Sequence, residues 1–361
     1  MKMLKLRAYY KMRRYPSTGL PSGRIPSYSP KSGAISVILK WPLTLVLAAM
    51  LGSISLATAQ SFPSRTLSLV VAFSAGGPTD TLARIVAERM TRALGQTVVV
   101  ENVTGAGGSI GVGRVVRASP DGYTVGIGHV GTHVINGAIY QLPYDLLRDL
   151  EPVALIASNP QLIVSKTAIP AKNLKELVAW VKANQDKVSI GTGGAGTPSH
   201  ISGVYFKNIT GAQLEIVHYR GSAPAMQDVV AGHVDIIFDQ ASNALPQVRA
   251  GKVRAYAVTS KTRIGAAPDI PSVDEAGLPN FYMAVWHGIW VPKGTPKDVI
   301  AKLDAAIVES LADPAVRKRL ADLGQEIPPR EQQTPEGLGA YHRAEIEKWW
   351  PIIKAAGIKA D

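Results

Sequence analysis

The chain contains no cysteine. This excludes disulfides, thiolate metal sites and cysteine nucleophiles. It also removes the lipobox residue that a lipid anchor at a processed N-terminus requires. It does not decide the compartment, because many exported proteins lack disulfides. Acid is missing from the first 59 residues, which hold five Lys and four Arg. Taking those nine charges from the formal +12 leaves +3 for the rest of the chain. The basic balance therefore belongs to the front section, and a nucleic-acid partner is not expected. H-E-x-x-H is absent, and no internal repeat or low-complexity segment stands out. His129 and His133 are four apart, but Gly131 lies between them at a strand end, so no helical metal pair is expected.

What is present begins with an export pattern. The basic stretch is followed by an apolar run from Trp41 to Leu56 and then by Ala57-Thr58-Ala59. Residues 1–59 are expected to be a signal peptide cleaved near Ala59-Gln60, leaving a soluble product. A transmembrane anchor is the alternative, although Pro42, Gly52 and Ser53 break an already short run.

The whole chain is 46% hydrophobic, enough for sizeable cores. Strand and helix patterns alternate. Strands are expected at 67–72, 97–100, 124–127, 153–156, 162–164, 188–190, 214–217, 234–238, 254–258 and 288–291. Between them lie helical patterns: Thr79 to Leu94 ending at Gly95, one capped by Asn173, and Pro224 to Ala231 ending at Gly232. After Pro292 the chain turns helical, with starts at Pro296, Asp313-Pro314 and Thr334-Pro335. This argues for an α/β fold with mostly parallel sheets flanked by helices, in two lobes. Lobe 1 is assigned to residues 60–158 and 288–361, and lobe 2 to 159–287. The first crossover is placed at Ser158-Asn159-Pro160 and the return at Ala284 to His287.

Two glycine-rich turns carry the functional signal. Phe73-Ser74-Ala75-Gly76-Gly77-Pro78-Thr79-Asp80 follows the first strand. Gly191-Thr192-Gly193-Gly194-Ala195-Gly196-Thr197-Pro198-Ser199-His200 follows a later one. Each runs into a helix, whose unpaired N–H groups and partial positive charge suit an anion. Two such turns facing each other would grip a small anion from both sides.

Other motifs have competing readings. Gly191, Gly193 and Gly196 form G-x-G-x-x-G with Glu215 downstream, the context of a dinucleotide site, yet Pro198 sits where that fingerprint expects close packing. Gly107-Gly108-Ser109-Ile110-Gly111 matches a nucleophile elbow, and Ser109, Asp239 and His287 are a nominal triad; five residues separate the elbow from its strand. Asp239 follows a strand and reaches the edge where ligands gather, or is a solvated turn residue. Arg220 is an anion clamp or a surface residue. Phe73, Phe238 and Trp286 wall a pocket or belong to the core.

The runs FSAGGPTDTLARIVAERM, LGQTVVVENVTGAGGSIG, ASPDGYTVGIGHVGTHVIN and HYRGSAPAMQDVVAGHVDIIFD resemble the solute receptors of tripartite tricarboxylate transporters, also called Bug receptors. The likeness spans about residues 62–361. It implies a two-lobed, flytrap-like periplasmic-binding-protein fold with the ligand at the hinge cleft. It implies a carboxylate pinched by Phe73, Ala75, Gly76, Gly77, Thr79 and Asp80 from one side, and by Thr192, Gly193, Gly194, Ser199 and His200 from the other. His129, Thr132 and Asp239 are further candidates. The implied protein is a monomeric periplasmic receptor without cofactor, metal or catalysis. It would hand a dicarboxylate, hydroxy acid, aromatic acid or amino acid to membrane permease subunits. A ligand-presenting sensor for a membrane histidine kinase and an exported serine hydrolase using Ser109 are the alternatives.

Overall fold

The computed structural model describes residues 24, 27, 62–185, 187–355 and 357–359. The expected export signal and its cleavage point lie outside them. In chain order the elements are β1 (Leu67–Val71), α1 (Pro78–Leu94), β2 (Val98–Asn102), α2 (Ser109–Val116), β3 (Thr124–His129), β4 (Leu150–Lys166), α3 (Leu174–Ala183) and β5 (Ser189–Thr192). There follow α4 (Pro198–Thr210), β6 (Glu215–His218), α5 (Ser222–Ala231), β7 (Ile236–Gln240), α6 (Ala241–Arg249), β8 (Val253–Val258) and β9 (Ala284–Pro292). Three helices end the chain: α7 (Lys297–Ala312), α8 (Pro314–Asp322) and α9 (Pro335–Ala355).

The helix limits follow local chemistry. Pro78, Pro198 and Pro314 each stand in a first turn, where a missing N–H costs nothing. Gly95 ends α1 at φ 64°, a left-handed conformation that glycine adopts without strain. The Asn173 side chain accepts from Glu176 N, and that of Asp313 accepts from Ala315 N and Val316 N; such caps contribute about 1 kcal/mol each.

The strands join in the order β2-β1-β3-β9-β4-β7-β5-β6, with β8 also on β4. The flanks β2-β1-β3 and β7-β5-β6 are parallel. The strands between them pair antiparallel. Each half of the sheet is covered on both faces. In β1, Leu69 and Val71 pack with Leu82, Val86 and Ile307, while Val70 turns to Val112, Val115 and Trp290. In β4, Leu162 and Val164 pack with Met226, Val229 and Leu245, while Ile163 faces Phe206, Phe238 and Phe281. This is the two-residue period of a strand buried on both sides.

The segment read as two strands broken at Ser158-Asn159-Pro160 is one strand of 17 residues. Leu150 to Pro160 pair with β9, and Gln161 to Lys166 pair with β7 and β8. The turn chemistry of Ser-Asn-Pro is overridden because each polar group finds a partner elsewhere. Ser158 N and O bond Glu326 O and N, each at 2.8 Å, and Asn159 Nδ2 donates to Gly324 O at 2.6 Å. Asn159 Oδ1 accepts from Ser242 N at 3.0 Å.

Candidate functional site

The turns after β1 and β5 both leave the carboxyl ends of their strands and line one cavity of about 20 Å³. Phe73, Gly77, Pro78 and Thr79 form one wall; Gly193, Thr197, Pro198 and Ser199 form another. His129, Gln161, Ser222, Asp239 and Gln240 complete the lining. Such a volume is about that of one water. It is smaller than a carboxylic acid.

Both turns deliver a helix with proline at its first position. Among the described residues, no hydrogen bond engages the amides of Gly77, Thr79 and Asp80 at the start of α1, or of Ser199 at the start of α4. These are the orphan donors of two helix starts, aimed from opposite walls. The walls also touch. Ser74 N donates to Arg220 O at 3.3 Å, and Tyr140 Oη donates to Ala195 O at 3.0 Å. A Cβ at Gly107 would collide with Ala195 O, and one at Gly221 with Ser74 Oγ.

The proposed ligand residues divide accordingly. Phe73, Gly77, Thr79, His129, Gly193, Ser199 and Asp239 line the cavity. Phe73 stacks on His129 with centroids 4.8 Å apart, and Thr79 Oγ1 meets His287 Nε2 at 3.1 Å. Ala75 and Gly76 are exposed outside it, and the Gly76 amide is engaged by Asp80 Oδ2 at 2.9 Å. Asp80 also holds Arg84 and Asn102, so its carboxylate staples the turn. Burial alone would raise its pKa, but those bonds together hold it below the usual value. Thr132 is bound to His129 N, Thr192 to His218 Nδ1 at 2.7 Å, and the Gly194 amide to Thr192 Oγ1. His200 Nδ1 accepts from Gly196 N. These four residues brace the turns from behind the lining.

Asp239 is buried at the end of β7, not a solvated turn residue. It accepts from Gln240 N at 2.8 Å and Asn243 Nδ2 at 2.5 Å, with the Ser222 hydroxyl facing it. Burial pushes its pKa up to about 6 against those three donors. Beside it, Gln240 Oε1 is buried with no hydrogen-bond partner. Among the described residues, the lining contains no Lys or Arg. His129 is neutral, since burial pushes its pKa down to about 3, and its Nδ1 accepts from Gly131 N.

Other sequence motifs do not converge. Ser109 has its carbonyl on Tyr144 Oη, while His287 bonds Thr79 and Asp239 bonds Gln240 and Asn243, so the nominal triad is not assembled. Glu215 begins β6 opposite Ser189, at the far edge from the glycine turn, and cannot serve a ribose there. His129 and His133 hold different partners, and no cluster of three or more metal-ligating side chains exists among the described residues. Phe238 and Trp286 are core residues. Arg220 is exposed.

Sequence reasoning missed Gln161, Thr197, Ser222 and Gln240. Ser222 had a readable signal, because Gly221-Ser222 repeats the strand, glycine turn and helix start of the other two turns. Gln161 had none: it lies within a strand and reaches the cavity only because β4 changes partners there.

Comparison with known proteins places the chain in a family. The family model described as tripartite tricarboxylate transporter family receptor, TctC, matches residues 82–358. A UPF0065 protein from the TAR-I ttuE-ttuC' intergenic region of Agrobacterium vitis is 40% identical over 297 residues, 82% of this chain and 86% of the relative. Among solved structures, periplasmic binding protein BugD is 41% identical with a TM-score of 0.80, covering 82% of this chain and 99% of that one. MatC from Rhodopseudomonas palustris with bound malate is 39% identical with a TM-score of 0.78, covering 81% and 100%. A second protein of that organism, with adipate, is 32% identical with a TM-score of 0.79, covering 82% and 99%. The architecture is thus the two-lobed periplasmic-binding-protein fold, and the chain belongs to the family of tripartite tricarboxylate transporter receptors.

Proposed function

We propose that the chain is a periplasmic receptor that captures a small carboxylate between two lobes and delivers it to a tripartite tricarboxylate-type permease, without catalysis. The lobes are residues 60–158 with 288–361, and residues 159–287, hinged where β4 and β9 run side by side. The observation that carries the reading is the pair of opposed helix starts with unengaged amides on one cavity. Backbone donors bond strongly to ionised oxygens, do not titrate, and need no cationic side chain. Family relatives bearing malate and adipate support a dicarboxylate. Closure of the lobes is the state the permease would read.

A thermal-shift series over di-acids, hydroxy acids, aromatic acids and amino acids tests this. A ligand bound only by the folded state raises stability by about 2.7 kcal/mol at 100 times its Kd. Stabilisation by at least one carboxylate is expected; a flat response across the series refutes the reading.

A further inference from the structure

We propose that the ligand carboxylate is bound together with a protonated Asp239, so that each capture takes up one proton from solvent. This rests on the receptor reading and adds to it a rule for which charge state the site accepts. The starting point is an imbalance of charge. Asp239 lines the cavity, is 1% exposed, and has no ion pair among the described residues. A ligand carboxylate would bring a second negative charge into a space that, among the described residues, holds no cationic side chain. Two carboxylates that share a site and exclude water do not both stay ionised.

The groups around Asp239 leave the proton as the available counter-charge. From α6, Asn243 donates to it; from α5, Ser222 faces it; its neighbour Gln240 gives a backbone N–H. From β4 comes Gln161, whose Oε1 is engaged by Ser202 Oγ at 2.5 Å. From α4 come Ser199 and, one position on, His200, with its Nδ1 on Gly196 N. From the opposite wall come Thr79, His129 and, behind them, His287; burial lowers the pKa of both histidines. Arg84 is committed to Asp80. None of these supplies a positive charge to the lining. A carboxyl whose pKa burial has already pushed up to about 6 accepts a proton readily. Once protonated it becomes a donor to the ligand oxygen, giving a charge-assisted hydrogen bond where there had been repulsion. In balance, ionised Asp239, one solvent proton and one ligand carboxylate give the neutral acid hydrogen-bonded to the bound carboxylate. No other bond forms or breaks.

The test is isothermal titration of the full mature chain with malate and with adipate, from pH 5.5 to 8.5, in buffers of different ionisation enthalpy. With only the protonated form competent, affinity falls roughly 50-fold between pH 6 and pH 8, and about one proton is taken up per ligand above pH 7. Asp239→Asn, a permanently neutral isostere, is expected to bind at pH 8 as the parent does at pH 6, with no pH dependence. Its melting curve confirms that it folds. Affinity that stays level or rises with pH overturns the proposal, as it would for a ligand whose ammonium pairs with ionised Asp239. A pH dependence that survives in Asp239→Asn also overturns it. Loss of binding in a folded Asp239→Asn does the same. Only the failure of every carboxylate to bind the parent at any pH removes the receptor reading as well.

Discussion

The backbone N–H of Ser74 donates to the carbonyl of Arg220, joining the turn after β1 to the turn before α5. The bond crosses the cleft between main-chain atoms, at a point where Gly221 has no Cβ to obstruct Ser74. Tyr140 and Ala195 make a second crossing. In the proposed receptor, closure would depend on backbone approach as much as on the ligand, and substitutions that add bulk at these points should separate folding from binding.

Gly107 is the sharpest case. Its φ is 58°, and an added Cβ would strike Ala195 O. Gly107→Ala costs about 1 kcal/mol in backbone strain, with a further cost confined to the closed form. Expected is a protein that folds, melts a few degrees lower, and binds carboxylate at least tenfold more weakly. Calorimetry together with small-angle scattering checks this; unchanged affinity would show that the walls need not meet.

Thr79→Val separates amide from hydroxyl. The hydroxyl bonds His287, whose Nδ1 is already buried without a partner. Removing it leaves a buried imidazole unsatisfied, at a cost of about 1–3 kcal/mol. The Thr79 amide is untouched. Stability measured in urea should fall by that amount while ligand affinity changes less than about threefold. A large loss of affinity would mean that the side chain, not the backbone, holds the anion.

Acid should unfold the protein through its histidines. His129, His133, His287 and His342 are buried, and burial lowers all four pKa values, to about 3 for His129 and about 4 for His342. The unfolded chain titrates near 6.5, so below that pH it binds protons that the native state refuses. Each group removes stability as pH falls from 6.5 towards its lowered value, by up to about 1.4 kcal/mol per unit. Urea midpoints are expected to drop steadily from pH 7 to pH 4.5, with a shallower slope in His342→Gln.

Asp239 acts with the opposite sign. Its native pKa of about 6 exceeds the ordinary 3.8, so the folded state is favoured by protonation and burdened above pH 6. Asp239→Asn should therefore stabilise the ligand-free protein at pH 7.5, by up to about 3 kcal/mol. The gain should shrink below pH 6 and vanish near pH 4. Thermal melts across that range check it.

Much of this was legible in the sequence because strands and helix starts are written locally. Gly95, Asn173 and Asp313 end or begin helices by chemistry that acts within a few residues. The two glycine turns were readable for the same reason. What was not readable depends on distant partners. β4 runs unbroken through Ser158-Asn159-Pro160 because Glu326, Gly324 and Ser242 satisfy it from elsewhere in the chain. Asp80 looked available to a ligand, yet Arg84 and Asn102 claim it. Gln161 enters the cavity through long-range pairing alone.

Pro160 on β4 and Ala284 on β9 are register partners, at the point where β4 leaves β9 for β7 and β8. Directly paired positions of antiparallel strands lie about 5 Å apart. The intervening residues 161–283 thus depart and come back through a single doorway, with both of their own apolar layers beyond it. Topologically that stretch is a bead threaded onto the rest of the chain, and excising it would leave two cut ends close enough to be rejoined by a short linker.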